Sequence, residues 1–311
     1  ALLDDAQANF AKGGKHVTTQ DLLFANDLQK WSGFAHALKA RYLLHTYGVD
    51  KSVLSEVLKE AQAAVSAGFD GVNLNVFNGK TADNAWSAYH WSRSYIGSSK
   101  TVDDLLLDRN DPREAIYNVD GFETGKALVG EPGNSEQAML TQAIDYPAWL
   151  ENGAAYLHLF SKSELYFIIA EVKARLSQDA KSEFETAVTA SFNDYFVASG
   201  KSVEDSTITQ YLTSIETRYA ANPLKEIMVQ KYIAQARDEQ LETYNDIRRC
   251  RYVDGTYYVA LTNPMNTQAG INRWPLRLPY GESDVVSNPN VAAAFGSGSS
   301  AGNYLFTDPV C

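Results

Sequence analysis

Residues 222–251 read NPLKEIMVQKYIAQARDEQLETYNDIRRCR. Asn222 suits a helix N-cap, and Pro223 the first helical position, where its missing N–H costs nothing. Leu224, Ile227, Met228, Ala234, Leu241 and Tyr244 fall on or near one stripe at helical spacing. No Gly or Pro interrupts the stretch before Gly255. The spacing predicts one long helix, a rod of roughly 40 Å at 1.5 Å per residue. Such a rod needs other elements packed along it. Its end crowds Glu242, Tyr244, Asp246, Arg248 and Arg249 beside the apolar stripe. A paired, partly buried polar network is expected there, with Arg248 costly to remove.

Further helices precede the rod. Ser161 and Glu164 fit a capping box ahead of Leu165, Ile168, Ile169, Val172 and Leu176. Phe184, Val188, Phe192 and Tyr195 mark the next helix, closed by Gly200. Ile208, Tyr211, Leu212, Ile215 and Tyr219 mark another, with Asp205 or Ser206 as N-cap. Residues 135–144 read as helical too. Near the start, a short helix ends at Gly13-Gly14. Residues 28–47 and 52–67 then form an αα-hairpin closed by Gly48 and Gly68, with Asp27 as the first N-cap. Antiparallel helices with short connections make a mostly α array.

The helical scaffold thus covers 1–68 and 135–251. Residues 69–134 and 252–311 read as loop-rich, with a short strand or extended piece near 69–80. The 311 residues are enough for one large domain or two smaller ones, and the family resemblance given below implies a single domain over 1–311.

Composition narrows the function. The 311 residues are 45% hydrophobic and 21% charged, ordinary for a globular protein. A net charge of −11 argues against nucleic acid, whose phosphates need basic patches. No apolar run is long enough to span a bilayer as a helix. The start carries no signal peptide and no lipidation Cys, so a mature or truncated chain is expected. Cys250 and Cys311 either pair or stay separate thiols.

Catalytic and metal patterns are weak. Gly298-Ser299-Ser300-Ala301-Gly302 matches a nucleophile elbow in form only, since it sits in a Gly/Ser run with no His after it. The five histidines never take a zinc spacing; His36 and His45 read as satisfied or exposed. Asp108, Asn110 and Asp111 open like a calcium loop, but Pro112 takes a ligand's place, and a turn is the better reading. No catalytic residue, metal or cofactor is assigned.

The chemistry that remains is aromatic. Trp86, Tyr89, Trp91 and Tyr95 are interleaved with Asn84, His90 and Arg93. Flat rings attract the C–H faces of pyranoses, while neighbouring amides and Arg bind hydroxyls, so Asn84, Trp86, Tyr89, Trp91, Arg93 and Tyr95 are the candidate ligand-binding residues. The competing reading is a local mini-core of the loop region.

Four segments resemble one family. DLLFANDLQKWSGFAHALKARYLLH (21–45), SKSELYFIIAEVKARL (161–176), LKEIMVQKYIAQARDEQLETYNDIRR (224–249) and INRWPLRLPYGESDVVSNPNV (271–291) are similar, in this order, to the signature segments of the SusD/RagB nutrient-binding outer-membrane lipoproteins of Bacteroidetes. Asp111-Pro112-Arg113 matches the DPR of one branch. The resemblance implies a mostly α fold of TPR-like helix pairs with a loop-rich ligand-binding part. It implies a lipid-anchored protein at the cell surface, whose anchor and N-terminal portion lie outside this sequence. There it would capture oligosaccharides, or in some members peptides, and deliver them without catalysis to a SusC-like, TonB-dependent outer-membrane transporter. A helical-repeat module that binds only protein is the alternative. Where the family often carries Pro-Tyr-Pro, this chain has RLPYGE, led by Arg277. Asp205-Ser206-Thr207 also fits a short O-glycosylation pattern, with helix capping the preferred reading.

Overall fold

The computed structural model describes residues 1–14, 20–93, 96–119, 130, 145–259, 274–275, 282–295 and 305–306. In chain order these residues form α1 (Leu2–Lys12), α2 (Leu28–His45), α3 (Leu54–Ser66), β1 (Val72–Leu74), α4 (Ala85–Arg93), α5 (Lys100–Leu107) and α6 (Glu114–Tyr117). Then come β2 (Leu157–Phe160), α7 (Lys162–Arg175), α8 (Lys181–Ala198), α9 (Asp205–Ala221), α10 (Pro223–Gln235) and α11 (Gln240–Asp254). Last are β3 (Trp274–Pro275), α12 (Glu282–Ser287), α13 (Pro289–Phe295) and β4 (Leu305–Phe306).

The expected mostly α scaffold is present as stacked helix pairs. α2 and α3 form the hairpin, α3 packs on α7, α7 pairs with α8, and α10 lies against α7, α8 and α9. Local signals start these helices. Asp27 accepts the backbone N–H groups of Gln29 and Lys30. Ser161 Oγ accepts that of Glu164, and Asn222 that of Lys225 behind Pro223. The hairpin closes tightly, because Gly33 lets α2 approach α3: a Cβ there would lie 3.3 Å from the Ala67 Cβ.

Three apolar clusters hold the stack. One joins α2, α3, β1, β2 and α7 through residues such as Leu44, Val57, Val72, Phe160 and Ile168. A second joins α7, α8, α9 and α10 through Phe167, Phe184, Phe192, Tyr211 and Ile227. The third carries α5, α6 and the 148–151 turn against α8 and α10 through Leu106, Ile116, Trp149, Tyr195 and Ile233. Each fully buried Leu, Ile or Phe contributes about 1.5–3 kcal/mol relative to exposure.

The 222–251 stretch is two helices rather than one rod. α10 ends at Gln235 and α11 begins at Gln240. Distant polar partners, not local propensity, break it. The buried Glu239 carboxylate accepts the backbone N–H of Ser161 at 2.8 Å and its hydroxyl at 2.7 Å. Arg237 donates to the Tyr156 carbonyl, and Asp238 accepts the His158 N–H at 3.1 Å. A continuous helix would carry these side chains away from β2 and the start of α7.

α10 is buried nearly all round, including Glu226, Gln230 and Lys231. Each of these meets a charge or amide from elsewhere. Arg109 grips Glu226 with two 2.9 Å bonds. Arg113, fully buried, joins Gln230, Asp111 and Ser191. Lys231 pairs with Asp246 of α11. α10 therefore ties residues 109–113 to the scaffold.

Other expectations change. The stretch 69–134 contains α4, α5 and α6, so it is less irregular than its sequence suggests. Its helices lean on tertiary partners, described below for α4. In the last part, Pro289 begins α13 instead of breaking structure, since Pro is tolerated at the first helical position. Glu204, not Asp205 or Ser206, is the N-cap of α9, and no side-chain cap bond forms. The Ser161 capping box is half made, because Glu164 turns to Arg41 instead of the Ser161 N–H. Asp108–Asp111 is a turn, and the Asp111 carboxylate is taken by Arg113. His36 and His45 are satisfied, 2.6 Å from Glu60 and 2.7 Å from Glu242. Cys250 is a buried free thiol. The expected helix at 135–144, the elbow-like 298–302, Arg277 and Cys311 lie outside the described residues.

Candidate aromatic binding face

The candidate residues sit on and around α4. The helix exists because a neighbouring turn builds it. Asn84 Oδ1 accepts the backbone N–H of Trp86 at 2.8 Å, an N-cap bond. Asn84 Nδ2 donates to the Ala155 carbonyl at 2.8 Å, and the Asn84 N–H to the Gly153 carbonyl at 2.7 Å. Asn84 is buried and its amide is spent on mounting the helix. Gly153 leaves room at this contact: a Cβ there would push on Asp83 Oδ1 at 2.8 Å and crowd the Gly79 Cα at 3.1 Å.

Ser87 and His90 form the inner face of α4, both buried. The His90 ring packs 4.4 Å from the Tyr146 ring and 5.3 Å from that of Trp91, centroid to centroid. Its buried Nδ1 has no hydrogen-bond partner among the described residues. Burial holds the imidazole below its ordinary value, and nearby Glu151 opposes this. The Tyr146 hydroxyl donates to Glu151 at 3.0 Å; burial first, then that bond, raises its pKa.

The outer rings face solvent. Trp86 is 47% exposed, Tyr89 45% and Trp91 64%, and Arg93 is exposed too. At 100° per residue, Trp86, Tyr89 and Arg93 share one flank of the helix. Trp91 lies about 140° round the axis from Trp86, on the other flank. The structure therefore assembles Trp86, Tyr89 and Arg93, sets Trp91 apart and uses Asn84 as a cap. Tyr95 lies outside the described residues. Among the described residues of α4, Ser87 and His90 are the buried ones, and Trp86, Tyr89 and Trp91 are not.

Sequence reasoning passed over the segment that carries α4. Asn152 Nδ2 donates to the Ala198 carbonyl at the end of α8 at 2.8 Å. The Tyr156 hydroxyl donates to Asp194 at 3.1 Å, and His158 Nδ1 lies 2.7 Å from Asn73 Oδ1. Burial, then Asp194, raises the Tyr156 pKa. No spacing rule links residues 152–158 to 84 or 194; only the fold does.

The protein is a stack of antiparallel helix pairs that carries a short, solvent-facing aromatic helix. No described helix is long and apolar enough to cross a membrane. The chain belongs to the SusD-like family, whose model, described as "Starch-binding associating with outer membrane", matches residues 1–280. A SusD/RagB family protein from Bacteroides thetaiotaomicron is 30% identical, with a TM-score of 0.77 over 97% of this chain and 69% of that one. A SusD homolog from Bacteroides fragilis is 18% identical, with a TM-score of 0.73 over 98% of this chain and 73% of that one. A chitin-binding SusD homolog from Flavobacterium johnsoniae is 18% identical, with a TM-score of 0.71 over 97% and 69%. The latter two are likenesses of fold. A search of curated proteins finds no match.

Proposed function

We propose that this chain captures oligosaccharides at the outer face of the outer membrane, without catalysis, and passes them to a SusC-like TonB-dependent transporter. A lipid anchor would hold it there. The observation that carries the reading is the pair Trp86 and Tyr89, about one turn apart and facing solvent, with exposed Arg93 beside them. Ring faces of this kind stack on sugar C–H faces, and a guanidinium donates to hydroxyls. The family description, and a relative titled chitin-binding, support a glycan over other ligands.

Isothermal titration against starch- and chitin-derived oligosaccharides, beside a peptide panel, tests this. Glycan binding that weakens in Trp86→Ala and Tyr89→Ala is the expected result. Binding of peptides alone would overturn the glycan reading. Co-purification with the transporter, retained in both variants, is expected for the partner.

A further inference from the structure

A concave surface lies elsewhere on the scaffold. A polar cleft of about 560 Å³ opens between α8, β1 and the start of α7. Along α8, Ser182, Thr186, Thr189 and Asn193 recur every three or four residues and line it. The stripe is roughly 16 Å long. Asp70, Asn73, His158, Lys162 and Asp194 form the opposite side and one end.

The lining selects a ligand chemistry. Its ammonium group, Lys162, is neutralised by Asp70 at 2.6 Å. Thr189 and Asn193 make no side-chain hydrogen bond among the described residues, so both have capacity to spare. The His158 side chain is 5% exposed; its Nε2 lies 3.4 Å from Asp194 Oδ1 but forms no aligned hydrogen bond. Hydroxyls, amides and carboxylates therefore offer mixed donors and acceptors, beside the apolar Ala190 and Leu212. This suits the hydroxyl edges of a sugar chain rather than an apolar or strongly ionic ligand.

The cleft is also coupled to α4. The 152–155 turn that carries α4 is tied to Ala198 of α8. One turn back along α8, Asp194 binds Tyr156 at the end of the cleft. We propose that the cleft is an extension subsite, which holds the continuation of a glycan gripped at α4. This rests on the proposed glycan-binding reading.

The probes are a disaccharide and a hexasaccharide from each of the malto- and chito-series, titrated into the full chain. The wild type should bind the hexasaccharide of its preferred series more tightly. The double variant Thr189→Val with Asn193→Ala removes two hydrogen-bonding groups from the lining. Its hexasaccharide affinity should fall about tenfold, with disaccharide affinity and thermal midpoint unchanged. Unchanged hexasaccharide affinity overturns the subsite. Trp86→Ala separates the two readings. It should weaken both lengths. If it weakens neither while the double variant still loses the hexasaccharide, the α4 reading falls and the cleft stands as a glycan site. A wild type that binds neither series overturns both.

Discussion

Arg249 of α11 grips Glu171 of α7 with both arms of its guanidinium, Nη2 lying 2.9 Å from Oε2 and Nη1 bonding Oε1. Both residues are buried. The same Arg249 reaches Asp246 at 2.6 Å, and Arg175 bonds Glu171 at 2.7 Å. Burial alone would raise the Glu171 carboxyl, but Arg249 and Arg175 hold it below the usual carboxylate range. Arg248, singled out by sequence, is only partly buried, with its guanidinium over the Tyr244 ring. Removing one partner of a buried pair leaves an uncompensated charge. Arg249→Ala should therefore cost about 3–5 kcal/mol, read as a lower urea midpoint at unchanged slope. Arg248→Ala should cost under about 1 kcal/mol. The reverse ranking would show that this network does not hold α11.

The pairing explains which parts of the fold are legible in sequence. Caps at Asp27, Ser161 and Asn222 are local, and each starts the helix it predicts, although the helix begun at Asn222 ends at Gln235 instead of running on to 251. The polar end of 222–251 is legible as a network, because so many charged groups beside an apolar stripe need partners. Which arginine is buried is not legible, since that depends on where α7 lies. The break at 236–239 is hidden for the same reason: Ser161, Tyr156 and His158 create it. α4 shows the limit most clearly. The sequence picks out its aromatics, but the helical signal is weak because Gly153 and Ala155, far along the chain, anchor its cap. Without them, the Asn84 amide is indistinguishable from a solvent-facing ligand group.

That cap gives a second prediction. Asn84→Ala removes the bond to the Trp86 N–H and leaves the Ala155 carbonyl without its donor. A lost N-cap costs about 1 kcal/mol, and a lost buried hydrogen bond a similar amount. Hydrogen exchange across 85–93 should accelerate, and glycan affinity should fall through the loss of order in Trp86 and Tyr89. Asn84→Asp, which keeps the cap acceptor, should recover part of both. Unchanged exchange in Asn84→Ala would show that α4 is held by its inner face alone.

The two flanks of α4 give a third. Trp86→Ala and Tyr89→Ala should each weaken glycan binding about tenfold, near the value of one good ring contact. Because the two residues share one flank, the double variant should lose less than the sum of the single losses. Trp91→Ala, on the opposite flank, should combine additively with Trp86→Ala. All three rings are substantially exposed, so thermal midpoints should hold. Titration of the single and double variants reads this directly. Strong coupling between Trp86 and Trp91 would mean that the ligand wraps the helix.

His90 makes the site sensitive to acid. Its neutral ring fills the space between α4 and Tyr146, and burial holds its pKa below the ordinary 6.5. Tyr146, Trp91, Glu151 and the Ile96 backbone face it, and the Glu151 charge and the Ile96 backbone bond oppose the shift without reversing it. Between the lowered folded value and 6.5, the unfolded chain binds more proton than the folded one. Stability from this group is therefore fully present above about pH 6.5 and declines as the pH drops through that window. The docking of α4 should loosen with it, so glycan affinity should fall on mild acidification. His90→Phe keeps a ring against Tyr146 but cannot titrate. In that variant, the thermal midpoint and the glycan affinity should lose the part of their pH dependence that lies just below 6.5. Identical pH profiles for the two proteins would remove His90 as the cause.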